Sequence, residues 1–450
     1  MPKEMEVPMT AIEGGNASCF DAVVVGAGPA GSAAALVLAR GGAKVALLER
    51  GTEPGSKNLY GGVIYPAILA QLIPDYPESA PIERRITRRV TMLVDGGRAT
   101  WLAHDNPSWG DPGGPNAFTA YRPAFDSWLA GVAVAAGAVL LPSTTATRLV
   151  RDAYGHVAAV ATDREGPPLR TRMVIAADGA NSFLAKQAGL MKGAGAEGYT
   201  LGVKRVLSLG AEEIERRFNI ASPGEGVDIE ILGCTGEVSG GGFLYTNSET
   251  VAVGLVLSLT GLAATKSRPE ELLGRLQRHP SIEPLLRGAE PLEYGAHLIP
   301  EAGFSHWPRL GSKGLLVAGD AAFACLAAGL WLEGVNYAIA SGAEAGRAVL
   351  AEFGSHGAAD AAAVYASAME ASFVGINHRR LRHAPRLVMS RATQVGLPRF
   401  ANHLASEIFS VRDPEPKPGL ARAAYAAAHR SGVSPLTAGA AVLRALRTFG

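Results

Sequence analysis

Phe20-Asp-Ala-Val-Val-Val25, Gly26-Ala-Gly-Pro-Ala-Gly31, Ser32-Ala-Ala-Ala-Leu-Val-Leu-Ala-Arg40 and, after Gly41-Gly42, Lys44-Val-Ala-Leu-Leu-Glu49 make one almost unbroken stretch near the start of the chain. The first apolar run reads as a buried strand. The Ala- and Leu-rich run reads as a helix stopped by the glycine pair, and the second apolar run as a parallel strand. Together they form a complete βαβ unit. Gly26 permits the tight turn, Gly28 lets the backbone approach a pyrophosphate, and Gly31 lets the helix pack close to the strand. The phosphate would then meet the positive end of the helix. Glu49 lies 18 residues after Gly31 (49 − 31), near the ~20 expected of the carboxylate that accepts hydrogen bonds from a ribose. Ala30 and Arg50 flank these positions and are counted with them. The same glycine spacing recurs at Gly193-Ala-Gly-Ala-Glu-Gly198, but after a helical stretch and before a strand, so it reads as plain loop.

Outward from this unit, two more apolar strands end in an aspartate. Leu315–Ala318 runs into Gly319-Asp320, and Met173–Ala177 runs into Asp178-Gly-Ala-Asn-Ser182. An aspartate there either caps the following helix or accepts a bond from a sugar hydroxyl. Asp320, paired with the first unit, reads as a cofactor contact, whereas Asp178 reads as a structural or indirect one. Residues 200–300 differ: Val227–Leu232, Gly242–Tyr245 and Val251–Leu257 are β-rich runs that suggest an antiparallel sheet. A hairpin is expected at Thr91–Asp95 and Gly97–Leu102. The expected organisation is a first nucleotide-binding part over 1–199 with a hairpin inserted near 85–120. An antiparallel β domain over 200–300, a return to the nucleotide-binding domain over 301–355 and a helical region over 356–450 follow.

The chain has 450 residues, of which 48% are hydrophobic, and a formal net charge of +1. So even a balance gives no electrostatic reason to expect nucleic acid as a partner. Its three cysteines, Cys19, Cys234 and Cys325, include no C-x-x-C pair. Neither a zinc site nor a four-cysteine iron–sulfur cluster is therefore expected from this chain alone, no metal ligand is assigned, and a reducing, cytosolic compartment fits. Met1–Ser18 lacks the apolar core of a signal peptide. The nearest thing to a spanning segment, Ala318–Leu332, is interrupted by Asp320 and reads as a buried turn and helix. No Ser/His/Asp triad or carboxylate pair stands out, and His297, His306 and His378 read as structural.

The three motifs resemble the flavoproteins that share the para-hydroxybenzoate hydroxylase-like fold, in which the GAGPAG form is typical of FAD sites. A disulfide reductase with two nucleotides is disfavoured, because no second dinucleotide motif and no cysteine pair near residues 50–65 is present. Further segments resemble one branch, the FixC family, related to electron-transfer flavoprotein:quinone oxidoreductase. These are Pro54-Gly-Ser-Lys-Asn-Leu-Tyr-Gly-Gly62 with Ile64-Tyr65, Tyr121-Arg-Pro-Ala-Phe-Asp-Ser-Trp-Leu129, Gly240-Gly-Gly-Phe-Leu-Tyr245 with Val251–Leu255, and Asp413-Pro-Glu-Pro-Lys-Pro418. The resemblance implies an α/β fold. In it a Rossmann-type FAD-binding domain is interleaved with an antiparallel-sheet substrate or quinone domain and followed by a helical C-terminal region.

It also implies further cofactor contacts. Lys57 would place positive charge by the flavin ring, Asn58 would bond a ring carbonyl, and Gly61 and Gly62 would complete that loop. Arg122 would reach the ribityl chain or pyrophosphate, and Gly334, Val335 and Asn336 would bring a helix start to the N1–C2 edge of the ring. The implied activity is a relay from electron-transfer flavoprotein through FAD to a quinone. Eukaryotic relatives carry a cysteine-ligated cluster in a C-terminal extension that this chain lacks, so a separate ferredoxin-like iron–sulfur subunit is implied. Pro435–Phe449, as a basic amphipathic helix, and the arginines of Ile376–Arg391 are candidates for peripheral contact with the cytoplasmic face of a membrane. Three alternatives stay open: an NAD(P)H-dependent monooxygenase or halogenase, a geranylgeranyl reductase-like enzyme, and an assembly subunit with a purely structural FAD. The halogenase W-x-W-x-I-P motif is absent, and Phe243-Leu-Tyr-Thr-Asn247 stands where the reductases show Trp-x-Phe-Pro.

Overall fold

A computed structural model describes residues 19–58, 61–191, 195–301, 307–329, 332–355, 359–432 and 448. Pro435–Phe449, apart from Thr448, lies outside them, as does His306. Five strands lie side by side and parallel in the order Leu315–Val317, Leu169–Ala176, Cys19–Val25, Val45–Leu48 and Val139–Leu141. Val23, for example, sits between Val174 and Ala46. Val23, Val24, Ala46, Leu47, Val174, Ile175 and Leu316 are all fully buried, as a parallel sheet covered on both faces requires. Gly311–Ser312 and Val157–Thr162 add antiparallel edges.

Helix Pro29–Arg40 follows the first strand, with Pro29 at its first position and a row of buried alanines. The 20-residue helix Val335–Gly354 lies directly on it. Their backbones nearly touch: a Cβ on Gly342 would fall 1.9 Å from the Ala30 carbonyl oxygen, and one on Gly346 would fall 3.0 Å from that of Ala34.

A second, larger sheet runs in the order Glu290–Pro300, Tyr199–Ser208, Thr250–Ser258, Gly240–Thr246, Glu225–Leu232, Arg84–Asp95, Phe118–Ala120 and Gly62–Ile64. Its pairs are antiparallel except Glu225–Leu232 with Arg84–Asp95, which is parallel. The expected hairpin is longer than the sequence suggests, with Arg84–Asp95 running against Arg98–Asp105. The sheet alternates. Val203, Ile229, Ile231, Leu244, Val253 and Leu255 join an apolar core with Leu272, Leu273 and Leu276 of helix Pro269–Gln277. Lys204, Asp228, Glu230, Phe243 and Tyr245, which are their chain neighbours, line a cavity on the opposite side. The C-terminal region is helical, with Ala361–Ala371, Phe373–Arg380, Ala384–Val388, Leu397–Phe409 and Leu420–Ser431. Asn402 ties it to the second sheet, donating from Nδ2 to the Leu93 carbonyl at 2.9 Å. The mixed α/β architecture expected from the sequence is therefore present. Among the described residues, no helix is long and apolar enough to cross a membrane.

The two-helix contact leads to opposite expectations for one substitution at two glycines. Gly342→Ala should destabilise the protein by roughly 3 kcal/mol, since the new methyl group meets backbone. Gly131→Ala, on the exposed face of helix Arg122–Ala135 with nothing within 4 Å of the added Cβ, should stabilise by about 0.5–1 kcal/mol. Denaturant unfolding of the two variants checks both signs.

Candidate functional site

The strands Cys19–Val25, Leu169–Ala176 and Leu315–Val317 are parallel, so their carboxyl ends share one edge of the sheet. The residues that follow them meet in a cavity of about 800 Å³, which is the place and size expected of a ligand crevice in such a fold. Of the positions predicted from the sequence, Gly26, Gly28, Ala30, Glu49, Arg50, Lys57, Asn58, Gly61, Gly62, Arg122, Asp178, Gly319, Asp320, Gly334 and Val335 line it. Gly31 and Asn336 do not. Gly31 is consumed by packing, since a Cβ there would sit 1.8 Å from the Gly26 carbonyl oxygen. Asn336 is turned to its own neighbour: Nδ2 donates to Glu333 Oε2 at 2.5 Å, while its buried Oδ1 has no partner among the described residues.

Gly26 adopts φ +99°, and a side chain there would meet the Ala177 carbonyl oxygen at 2.4 Å, so the turn admits only glycine. Space beside Gly28 is open, and helix Pro29–Arg40 starts there with its positive end at the cavity. Glu49 accepts from the Ala27 amide at 3.1 Å and the Gly51 amide at 2.7 Å, fixing the carboxylate beside the glycine turn. Helix Val335–Gly354 also begins at the cavity, with Gly334 as its cap. Asp320 faces the cavity, and its carboxylate accepts no hydrogen bond among the described residues; burial pushes its pKa up. Asp178 caps, as the sequence allowed: it accepts from Ser182 Oγ at 2.6 Å and the Leu184 amide at 3.3 Å.

Several functional groups escaped the sequence reading. Asp126, fully buried, binds Arg122 through both carboxylate oxygens at 2.9 Å and takes Asn58 Nδ2 at 2.7 Å. It therefore holds two predicted contacts in place, and its i,i+4 spacing from Arg122 was a legible sign. Lys204, 4% exposed, donates to the Gly61 carbonyl at 2.7 Å and to Tyr245 Oη at 3.1 Å. Burial pushes its pKa down to about 7. Tyr65, Asp228, Glu230 and His297 line the same cavity. In Val227-Asp-Ile-Glu-Ile231 the carboxylates alternate with apolar residues, a period of two that puts both on one face of a strand. His297, read from sequence as structural, lies on the cavity wall beside Asp320, whose charge acts on it. His378 is the structural histidine, 2% exposed with Nε2 3.0 Å from the Ala324 carbonyl.

These residues fit FAD. The glycine turn and two helix starts suit a diphosphate, the fixed Glu49 suits a ribose, and the unpartnered Asp320 suits a hydroxylated chain. Bound FAD would supply one- and two-electron transfer.

The comparisons with known proteins agree with this geometry. Residues 21–217 match the family FAD dependent oxidoreductase, and residues 199–299 match the family ETF-QO, ubiquinone-binding. Over 88% of this chain and 92% of the relative, 38% of residues are identical to Protein FixC of Rhizobium meliloti. Identity is 36%, over 87% of this chain and 91% of the relative, with the probable electron transfer flavoprotein-quinone oxidoreductase YdiS of Escherichia coli. Among solved structures, a geranylgeranyl bacteriochlorophyll reductase-like protein from Thermoplasma acidophilum superposes with a TM-score of 0.71 over 92% of this chain and 96% of that one. At 20% identity that likeness speaks to the fold. Fold and site together define an FAD-dependent oxidoreductase of the electron-transfer flavoprotein–quinone oxidoreductase type. Within that class, the chain belongs to the FixC family.

Two measurements probe the polar wall. Asp126→Asn leaves the largely buried Arg122 without its counter-charge and should cost about 3 kcal/mol, together with weaker flavin retention; unfolding and flavin titration read the two effects. Lys204 binds its proton less tightly folded than unfolded, so the unfolded state holds more protons above pH 7 and folding stability should rise with pH there. Flavin-free wild type should gain on the order of 2 kcal/mol between pH 7 and 9 relative to Lys204→Met; parallel curves for the two proteins would refute this.

Proposed function

We propose that the chain accepts electrons from reduced electron-transfer flavoprotein onto its FAD and passes them to a quinone at a membrane surface. In this reading it works as one subunit of a complex in which a ferredoxin-like partner contributes an iron–sulfur cluster. One observation carries the reading. The glycine turn and helix starts on one side of the cavity face, on the other, the second sheet, whose strands Tyr199–Ser208, Glu225–Leu232, Gly240–Thr246 and Thr250–Ser258 fall in the segment matched to a ubiquinone-binding family. A shared cavity lets one end hold the dinucleotide while the other admits a flat, redox-active ring within short electron-transfer range. The FixC and quinone-oxidoreductase relatives support donor and acceptor, and the small number of unpaired cysteines supports an external cluster.

Each site residue has a role here. Glu49 binds ribose, Asp320 the ribityl chain, and the amides at Gly28 and Gly334 receive the diphosphate and the ring edge. Lys57 adds positive charge near the ring. Arg122 and Asn58, held by Asp126, orient the cofactor. The reading puts membrane contact on the cytoplasmic face, and the C-terminal helices support a peripheral membrane contact. Phe409, Val411, Leu420 and Tyr425 are 66–81% exposed and lie in the chain near Arg422 and near Arg412 and Arg430, which both pair with Glu407 and outweigh its single charge. Apolar and basic groups so mixed suit an anionic interface.

Anaerobic flavin bleaching tests the proposal. Purified protein should stay oxidised with NADH alone, bleach when the cognate electron-transfer flavoprotein is added, and recover its colour with added quinone. Rapid bleaching by NADH or NADPH alone would point instead to a monooxygenase or reductase.

A further inference from the structure

Resting on the quinone reading above, we propose that Asp228 is the proton donor to the quinone, that Glu230 reloads it from water, and that Arg89 holds the two carboxylates as a pair. Strand Glu225–Leu232 turns Val227, Ile229 and Ile231 into the apolar core, and Asp228 and Glu230 onto the cavity wall. Arg89 lies opposite Asp228 on the neighbouring parallel strand. Its Nη2 donates to Glu230 Oε1 at 2.6 Å, and its Nε stands 3.5 Å from Asp228 Oδ2. The guanidinium lies 5.9 Å from the centre of the Tyr65 ring, which also lines the cavity.

A structural ion pair needs one carboxylate for one guanidinium, and this wall has two. Asp228 is 6% exposed, yet its carboxylate accepts no hydrogen bond among the described residues. That is a nine-tenths buried acceptor with free lone pairs on a cavity wall, an arrangement that costs stability unless it serves a ligand. With both carboxylates ionised the cluster carries a surplus negative charge away from water, and taking up one proton removes it. Burial accordingly raises Asp228 to about 6 and Glu230 to about 7. The other groups facing the pair do not supply that proton. Arg89 stays cationic, the Tyr65 and Tyr245 phenols are raised far above neutrality, and Lys204 is bound to Tyr245 and the Gly61 carbonyl. Glu333, which acts on Tyr65 and Arg89, has its own carboxylate bound by Asn336 Nδ2.

Reducing a quinone to a quinol takes two electrons and two protons. The electrons would come from the protein's flavin in its reduced form, which would release its own ring proton to water. One carboxyl O–H bond breaks as an O–H bond forms on a quinone carbonyl oxygen, and the second oxygen takes its proton from water. The ionised pair then regains a proton from water through Glu230, the more open of the two at 20% side-chain exposure against 8%.

The test uses flavin-loaded protein, photoreduced without oxygen and mixed rapidly with a short-chain ubiquinone or with ferricenium, which accepts electrons without protons. In wild type, reoxidation by the quinone should fall about tenfold per pH unit above pH 7, while reoxidation by ferricenium stays flat. Asp228→Asn should slow the quinone reaction at pH 6 at least tenfold and remove its pH dependence. A flat quinone profile in wild type, an unchanged variant, or a variant slowed equally with ferricenium each overturns the proposal. Wild-type flavin that the quinone never reoxidises sinks the quinone reading itself, a distinguishable result. Should that variant fail to fold, infrared difference titration of flavin-free wild type against Glu230→Gln decides: since buried Glu301 is also raised to about 7, only the part of the protonated-carboxyl signal that differs between the two proteins counts, it should vanish with a midpoint between about 6 and 7, and identical signals in the two overturn the assignment.

Discussion

Backbone meets backbone at Ala30, where Gly342 of the long helix closes onto the first helix of the βαβ unit, and the whole arrangement depends on that approach. A glycine at each crossing removes the Cβ that would hold two helices 8–10 Å apart. The gain is positional. Helix Val335–Gly354 is drawn in until its start, at Gly334, reaches the cavity that the start of helix Pro29–Arg40 already faces. Two positive helix ends then converge on one space. Gly319 belongs to the same arrangement: a Cβ there would lie 2.7 Å from Ala30 Cβ, and its amide donates to Ser341 Oγ of the long helix at 2.8 Å. Asp320 is thereby held at the cavity edge without spending its carboxylate on a structural bond.

Opposite lies a wall built on the other periodicity. Strands whose alternate residues pack against helix Pro269–Gln277 present their remaining residues inward, and many of these are charged or phenolic. Buried charge of this kind is costly unless paired, and the wall pairs most of it. Arg89 serves two carboxylates and Lys204 finds a carbonyl and a phenol, while beside the wall Asp126 of helix Arg122–Ala135 serves Arg122 and Asn58. What pairing leaves over on this wall, the free lone pairs of Asp228, borders the same open space as those of Asp320 on the first.

How much of this was legible in the sequence follows from how local each signal is. The glycine turn, Glu49 and Gly319-Asp320 are decided by neighbours a few residues away, so motif and context sufficed. Both sheets announced themselves through apolar runs and alternation. The hairpin was found but cut short, because Arg84 to Thr91 mixes arginines with apolar residues and hides the alternation that pairing with Glu225–Leu232 enforces. Lys204, Asp228 and His297 were missed because their roles are non-local. Each becomes a site residue only when strands 173 to 266 residues beyond Gly31 (204 − 31 and 297 − 31) fold over the cavity. Asn336 errs the other way. It was grouped with Gly334 and Val335 by adjacency, but a helix turns about 100° per residue, and that rotation carries its side chain to Glu333 rather than to the cavity.

The two walls differ in what they can exchange. Helix ends and amides offer fixed partial charges, which bind an anion and do not titrate, so they suit a group that must stay. Asp228, Glu230 and Lys204 lie on the facing sheet with pKa values displaced toward neutrality, so their charge changes at the cost of little free energy. A resident cofactor against the first wall and a visiting molecule that must gain protons with its electrons against the second is the division of labour that this asymmetry favours. A chain that merely stored FAD would have no physical use for protonable groups buried on the far side of the cavity, where each one weakens the fold.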